Sequence, residues 1–250
     1  MEKVNVLNIS IHSVTLNELL STLHKGVLIT PNVDHLVNLQ KDKEFYEIYQ
    51  NAEWIICDSK ILNAGLLFLG NGVKTVIPGS SFFPAYYNYH KNNPNIKIFL
   101  LGAADGVAED AKNRINEKIG RDIIADVYSP PFDFEKNEQE CINIVNIINK
   151  SKANILVVGL GAPKQEKWIF KYKEKLPNIE LFMALGATID FEAGRIKRAP
   201  KFMQKIGMEW LFRLLMEPRR LWKRYMLNDL SFFKYIFLQK FGKYKDPFSK

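Results

Sequence analysis

Three polar residues that could take part in acid–base or binding chemistry follow apolar stretches of the sequence. Thr30 and Asn32 come after VLI at 27–29, and Asp58 comes directly after WIIC at 54–57. A carboxylate in such a position could act as a general base toward a bound hydroxyl group. The same residue types also form turns and cap the N-termini of helices. The residues alone leave both interpretations open, a ligand site or helix capping.

A second candidate site lies in GLGAPKQE at 159–166, which follows the apolar stretch NILVVG. Its two glycines match part of a dinucleotide-binding fingerprint, but the third glycine of that motif is missing. Pro163 suits the first position of a helix, which would place Lys164 and Gln165 near the helix N-terminus. There they would be suitably placed for a diphosphate or a sugar hydroxyl group.

Missing motifs narrow the possible chemistry. The sequence has no P-loop, no G-x-S-x-G nucleophile elbow and no Asp-x-Asp pair that would hold Mg²⁺ against a sugar nucleotide. Its two cysteines, Cys57 and Cys141, provide neither a disulfide framework nor metal-ligand spacing. We therefore expect no metal ion and no cofactor. If a diphosphate leaves during the reaction, backbone N–H groups, helix dipoles and Arg or Lys side chains must stabilise it.

Strands that alternate with helices must position these residues. Several apolar stretches in the first 194 residues are continuous, as expected of strands buried on both faces. This pattern predicts a Rossmann-like α/β body, a parallel sheet in a three-layer arrangement with helices. The predicted strands are 4–9, 27–30, 53–57, 96–101, 123–127, 154–159 and 180–185, and the predicted helices include 33–51, 105–119, 137–150 and 164–175. In such sheets ligands bind outside the carboxyl ends of the strands.

Residues 195–250 form a tail with a different composition. The tail contains 15 Lys and Arg against four Asp and Glu, whereas the preceding 194 residues contain 20 against 23. Beyond about residue 200 the tail has helical periodicity, with a break at Pro218, and its aromatic residues are interleaved with basic ones. Such helices suit an anionic membrane surface. We therefore divide the chain into a catalytic body, residues 1–194, and a helical appendage, residues 195–250.

Other roles for the tail stay open. It could bind nucleic acid, but its aromatic residues fall on one apolar helix face and the body is not basic, so we expect no nucleic-acid partner. The aromatic residues could instead pack in a core or form a dimer, which leaves a homo-oligomer open. No apolar run approaches the roughly 18 residues of a membrane span, and the N-terminus shows no signal-peptide pattern. We expect a soluble protein, or one attached to a membrane from one side.

Five segments carry a resemblance to a known family: TPNVDHLV, CDS, PGSSFF, GLGAPKQEKWI and GATIDFEAGRIKRAPKFMQKIGMEWLFRLLMEPRRL. In this order they resemble the WecG/TagA/CpsF family, glycosyltransferase family 26, over essentially the whole chain. The resemblance implies inverting, metal-independent transfer of N-acetylmannosamine from UDP-ManNAc to polyprenyl-diphosphate-linked GlcNAc, as in synthesis of the wall teichoic acid linkage unit. It also implies a protein that is peripheral on the inner, cytoplasmic face of the bacterial cell membrane.

The resemblance also implies roles for individual residues. Asp58 matches the proposed base, which would deprotonate the 4-hydroxyl group of the acceptor. Thr30 beside it is assigned to the catalytic site, and Asn32 and Gln165 are assigned to the substrate pocket. Basic residues of the tail match positions thought to fold over the active site and contact the donor diphosphate: Arg213, Arg220 and Lys223, with Arg224 adjacent.

Two residues depart from the family pattern. Val76 stands where relatives commonly have Arg, and Ser81 stands where they commonly have Asp. If that Arg contacts substrate in the relatives, the donor or acceptor differs here, or another basic residue substitutes for it. A family-26 transferase that uses another UDP-hexose for exopolysaccharide synthesis is therefore the alternative.

Overall fold

The computed structural model describes residues 1–200, 202–203, 207–223 and 229–249. Its strands are β1 (Lys3–Val6), β2 (Ile9–His12), β3 (Gly26–Ile29), β4 (Trp54–Ile55), β5 (Ile98–Gly102), β6 (Ile124–Tyr128), β7 (Ile155–Gly159) and β8 (Leu181–Ala184). Its helices are α1 (Leu16–Thr22), α2 (Val33–Asn38), α3 (Lys43–Gln50), α4 (Lys60–Leu69), α5 (Gly79–Tyr89), α6 (Val107–Ile119), α7 (Glu138–Lys150), α8 (Lys164–Tyr172), α9 (Thr188–Glu192), α10 (Glu209–Met216), α11 (Pro218–Lys223) and α12 (Leu230–Lys240). Single turns of 3₁₀ helix lie at Phe134–Lys136 and Lys173–Lys175.

Six of the strands form one sheet, in the order β4-β3-β8-β7-β5-β6. The pairs β3–β8, β8–β7, β7–β5 and β5–β6 are parallel. Every residue of β5 and β8 is buried, which explains why both strands are continuous apolar stretches in the sequence. A parallel sheet flanked by helices confirms the predicted Rossmann-like α/β fold.

The N-terminal segment forms a hairpin rather than the single predicted strand 4–9. β1 and β2 pair antiparallel as a separate two-stranded sheet, with Val4 opposite Ile11. The chain turns at Leu7, whose φ of 50° lies in the left-handed region. Apolar residues continue on both sides of this turn, so the pattern in the sequence did not reveal it.

The predicted helix 33–51 is two helices, α2 and α3. The second helix has its own N-cap, because the Asp42 side chain accepts a hydrogen bond from the Phe45 backbone N–H over 3.0 Å. The predicted helix 164–175 is also divided, into α8 and the 3₁₀ turn that follows it. By contrast, α6 and α7 lie within two residues of the predicted helices 105–119 and 137–150.

The chain folds into two compact units. Unit 1 contains residues Met1–Leu16, Thr30–Pro78 and Arg198–Lys250, and unit 2 contains Asn17–Ile29 and Gly79–Lys197. Most of the predicted appendage therefore belongs to the same unit as parts of the predicted body. The functional division at residue 194 stays a prediction.

Within unit 1, the last part of the tail packs on earlier segments of the chain. Phe232 of α12 is fully buried, and its ring lies against Gly65 of α4. The Leu7 backbone N–H donates to Gln239 Oε1 over 2.8 Å, at the end of the same helix. The Tyr244 hydroxyl group donates to Gln40 Oε1 over 2.6 Å. These contacts make the C-terminal segment part of the core of unit 1.

Candidate functional site

The turns that carry Thr30, Asn32 and Asp58 lie side by side in unit 1. The Asp58 backbone N–H donates to the carbonyl oxygen of Pro31, between Thr30 and Asn32, over 3.1 Å. Thr30 is buried, whereas Asn32 and Asp58 are half-buried. The structure therefore brings together the three residues that the sequence predicts for this site.

Helix capping accounts for Asn32 but not for Asp58. Asn32 is the N-cap of α2, since its Oδ1 accepts from the backbone N–H groups of Asp34 and His35 over 3.0 and 3.4 Å. The N-cap of α4 is Ser59, whose Oγ accepts from the Leu62 N–H over 3.3 Å. The interpretation of Asp58 as an N-cap is therefore wrong. Asp58 immediately precedes Ser59, the N-cap of α4. The first turn of α4 has no acidic residue, so the Asp58 carboxylate is the negative charge nearest in sequence to this helix N-terminus.

Two histidines near this site are packing residues. His35 is buried, its Nδ1 lies 2.6 Å from the hydroxyl oxygen of Tyr49, and its ring packs edge-on against Phe45. These contacts make His35 a packing residue of unit 1. His12 accepts a hydrogen bond from the Ile55 N–H over 3.2 Å, and burial lowers its pKa. The neutral ring, which has a lone pair for that bond, is thus the main form at pH 7.

The segment that carries Val76 is fixed beside the Asp58 turn. The Ile77 N–H donates to the carbonyl oxygen of Cys57 over 2.8 Å, and the Lys74 N–H donates to Ser13 Oγ over 3.0 Å. Burial raises the pKa of the Cys57 thiol to about 12, so this residue is an uncharged part of the core. Val76 is half-buried and immediately precedes Ile77, whose N–H bonds to Cys57. It therefore places an apolar side chain next to the Asp58 turn.

Part of the tail lies at the start of α4, close in sequence to Asp58. A β-carbon on Gly207 would lie 3.3 Å from Cβ of Lys60, the first residue of α4. Farther along the tail, Arg213 is half-buried in α10. The predicted contacts of these basic residues with a diphosphate stay a prediction; Arg224 and the side chains of Arg220 and Lys223 lie outside the described residues.

In unit 2, three glycines let the carboxyl ends of neighbouring strands approach each other closely. A β-carbon on Gly102, at the end of β5, would lie 2.5 Å from the carbonyl oxygen of Gly159. A β-carbon on Gly159, at the end of β7, would lie 2.8 Å from the carbonyl oxygen of Gly186. Because a side chain at either position would collide with backbone, glycine is required there.

Gln165 links the turn after β7 to the turn after β8. Its side chain is 2% exposed, and its Oε1 accepts from the backbone N–H groups of Gly161 and Gly186 over 3.2 and 3.0 Å. Its Nε2 donates to Glu166 Oε1 over 2.8 Å. The predicted contact of Gln165 with substrate stays a prediction; the bonds just described are internal. Glu166 was missed from the sequence, where a glutamate in the first turn of a helix gives no sign of burial.

Lys164 does not present an unbalanced charge to a diphosphate. Its Nζ lies 3.3 Å from Asp133 Oδ1 and also pairs with Glu135. Hydrogen bonds to Glu135 and Asp133 raise the pKa of Lys164, and the bond to Glu135 has the larger effect. Its ammonium group also lies 5.2 Å from the ring centre of Phe132. Lys164 is the first residue of α8, as predicted, and two carboxylates offset its charge. Its contact with a diphosphate stays a prediction.

Among the residues that the structure describes, no group of three or more His, Cys, Asp or Glu residues is arranged to hold a metal ion. None of the helices described is both long enough and apolar enough to cross a membrane.

Comparison with known proteins relates this chain to glycosyltransferases. A curated relative from Bacillus subtilis (strain 168) is named N-acetylglucosaminyldiphosphoundecaprenol N-acetyl-beta-D-mannosaminyltransferase. It is 27% identical over 199 residues, which cover 80% of this chain and 74% of the relative. The model of the family described as "Glycosyl transferase WecG/TagA/CpsF family" matches residues 4–246, nearly the whole chain. The protein therefore belongs to the WecG/TagA/CpsF family of glycosyltransferases.

Proposed function

We propose that the protein transfers N-acetylmannosamine from UDP-ManNAc to the 4-hydroxyl group of polyprenyl-diphosphate-linked GlcNAc, as in synthesis of the wall teichoic acid linkage unit. Family membership and the name of the Bacillus subtilis relative support this reaction. The structural observation that carries the proposal is the position of Asp58. This carboxylate follows a strand end beside the Thr30–Asn32 turn, and the adjacent helix takes its cap from Ser59 instead.

The proposed chemistry is a single displacement with inversion. Asp58 takes the proton from the acceptor hydroxyl group while that oxygen attacks the anomeric carbon of the donor sugar. The bond between the anomeric carbon and the UDP oxygen breaks on the opposite face, so the configuration inverts. Thr30 and Asn32 border the reacting groups, and Gln165 belongs to the substrate pocket. No metal ion takes part; the leaving diphosphate is stabilised by four basic residues of the tail, Arg213, Arg220, Lys223 and Arg224.

The acceptor lipid stays in a bilayer, so the enzyme must act at the membrane surface. We propose peripheral attachment to the anionic inner face of the cell membrane through the tail. One face of α12 supports this proposal, because three of its apolar side chains, and a fourth just after its end, are exposed next to basic residues. This exposed face consists of Leu230, Phe233 and Phe237, with Phe241 just after the helix. Aromatic side chains flanked by lysines suit the interface of an anionic membrane.

The first experiment tests Asp58 by the substitution Asp58→Asn. We expect a loss of about 10²- to 10⁴-fold in turnover of UDP-ManNAc with a lipid-diphosphate-GlcNAc acceptor, because asparagine cannot accept the proton. The matched control is Asp42→Asn in the same unit. Asp42 caps α3, and asparagine caps helices equally well, so this variant should turn over as the wild type does. Wild-type turnover of Asp58→Asn would remove this residue from the base role.

A second experiment tests the donor. Purified protein is incubated with a panel of UDP-sugars and the same acceptor, and the products are weighed by mass spectrometry. The proposal expects a mass gain of one N-acetylhexosamine with UDP-ManNAc. Preferred transfer of another hexose would favour the exopolysaccharide alternative. Such a result would fit the departures at Val76 and Ser81.

A further inference from the structure

Glu166 is a buried acid next to the candidate pocket residue Gln165. Its side chain is 0% exposed at the start of α8, and its Oε1 accepts a hydrogen bond from Gln165 Nε2. Its Oε2 is also buried and meets no hydrogen-bond partner among the described residues. Burial raises the pKa of Glu166 to about 7. A buried carboxyl group with one oxygen that lacks a hydrogen-bond partner lowers the stability of the folded state.

The neighbours of Gln165 fix the orientation of its amide group. Two backbone N–H groups, of Gly161 and Gly186, point at one end of the amide, and only an oxygen can accept from them. The other end must then be the NH₂ group, which needs an acceptor. Oε1 of Glu166 is that acceptor at 2.8 Å. A flipped amide would direct its NH₂ group at both glycine N–H groups, and it would place the amide oxygen against Glu166, whose ionised carboxylate can only accept.

This chain of bonds ends at the turns that follow two neighbouring strands of unit 2. Gly161 lies in the turn after β7, and Gly186 lies in the turn after β8, the neighbouring strand in the sheet. The backbones of these strand ends already approach so closely that a β-carbon on Gly159 would meet the carbonyl oxygen of Gly186. A displaced Gln165 amide would lose its bonds to the backbone N–H groups of both turns.

We propose that Glu166 is a positioning residue that fixes the Gln165 amide and, through it, holds the turns after β7 and β8 in the geometry needed for sugar transfer. The catalytic part of this statement rests on the function proposed above. Glu166 itself contacts no reacting atom. Its contribution is to keep two loops at the ligand edge of the sheet in one arrangement.

The test compares three substitutions at this position. Glu166→Gln keeps an oxygen at the same distance, so the bond from Gln165 Nε2 can form again. Glu166→Asp keeps the acid but shortens the side chain by one methylene group and withdraws the acceptor. Glu166→Met removes the acceptor and introduces an apolar side chain of similar length. The proposal therefore predicts that the amide variant resembles the wild type and that the other two do not.

The first readout is hydrogen exchange of the Gly161 and Gly186 backbone amides, measured by NMR. We expect Glu166→Gln to exchange nearly as slowly as the wild type, and Glu166→Asp and Glu166→Met to exchange about tenfold faster or more. The second readout is kinetics with UDP-ManNAc. We expect kcat of the Asp and Met variants to fall about 10- to 100-fold, with Glu166→Gln retaining most of it. A residue important only for stability would lower the melting temperature without changing kcat of the folded enzyme.

The outcomes separate this proposal from the proposed function. Unchanged exchange of both glycine amides in folded Glu166→Asp overturns the positioning role, whatever the activity. Wild-type kcat in that variant overturns its catalytic consequence. If the wild type transfers no sugar but the exchange rates respond as expected, the positioning role stands and the proposed reaction fails. The Asp variant keeps the test decisive should Glu166→Met not fold.

Discussion

Two adjacent phenylalanines in α12 should respond in opposite ways to replacement by alanine. Phe232 is 0% exposed and packs on Gly65 of α4, whereas Phe233 is 55% exposed. Truncation of a fully buried phenylalanine costs about 3–5 kcal/mol, because both transfer free energy and packing are lost. Phe233 buries less than half of its side chain, so its truncation should cost only about 1 kcal/mol of the unfolding free energy.

The membrane assay should rank the same two variants in the reverse order. If the exposed part of Phe233 enters a bilayer, its loss removes about 1 kcal/mol of binding, or roughly a fivefold weaker partition onto vesicles. Phe232→Ala keeps the exposed face of α12. At a temperature at which this variant is folded, it should bind vesicles as the wild type does. The two variants serve as controls for each other, because both remove a phenylalanine side chain from neighbouring positions of one helix.

Urea unfolding followed by circular dichroism, and sedimentation with vesicles of anionic lipid, measure the two effects. Equal and small losses of unfolding free energy in both variants would show that α12 does not pack on α4 as described. Vesicle binding of Phe233→Ala equal to that of the wild type would remove this face of α12 from the membrane contact.

Three further substitutions test other parts of the structure. Gly102→Ala should lower the unfolding free energy by about 2 kcal/mol or more in thermal unfolding, because φ is 126° and the new β-carbon would lie 2.5 Å from the Gly159 carbonyl oxygen; wild-type stability would contradict this close approach. Tyr244→Phe should cost about 1 kcal/mol in urea unfolding through loss of the bond to Gln40, and an unchanged midpoint would argue against that bond. Burial raises the pKa of Glu166 from 4.5 to about 7, so the folded state holds this proton more tightly than the unfolded state. This tighter proton binding adds at most about 3 kcal/mol to the unfolding free energy. The gain is fully present below pH 4.5 and is lost as the pH rises through 7. Relative to Glu166→Gln, the wild type should therefore lose unfolding free energy between pH 5 and 8; a constant difference would place the pKa elsewhere.

The sheet and its longest helices were predictable because their signals are local. β5 and β8 are buried on both faces, so an uninterrupted apolar stretch identified them. The break between α2 and α3 was missed because a single capping aspartate, Asp42, decides it within a continuous helical pattern.

The candidate site was predictable in outline but not in its bonds. The positions of Thr30, Asn32 and Asp58 after strands left capping and a ligand site both open, and the family resemblance assigned them to the site; the turns that carry them do lie together. The sequence could not decide whether Asp58 or Ser59 caps α4, because both residue types are good caps and they are adjacent. The burial of Glu166 also depends on contacts across the fold that no local pattern records.

The bonds from Gln239 to Leu7 and from Tyr244 to Gln40 have a consequence for synthesis on the ribosome. Unit 2 ends at Lys197, so its strands can pair as soon as this residue has emerged. Unit 1 instead joins segments made before Lys197 to a segment made after it, so the Gly65 surface and the Leu7 amide stay uncovered until α12 is made. The unit that carries the proposed base is therefore completed after unit 2, and until then a nascent chain exposes apolar surface of unit 1.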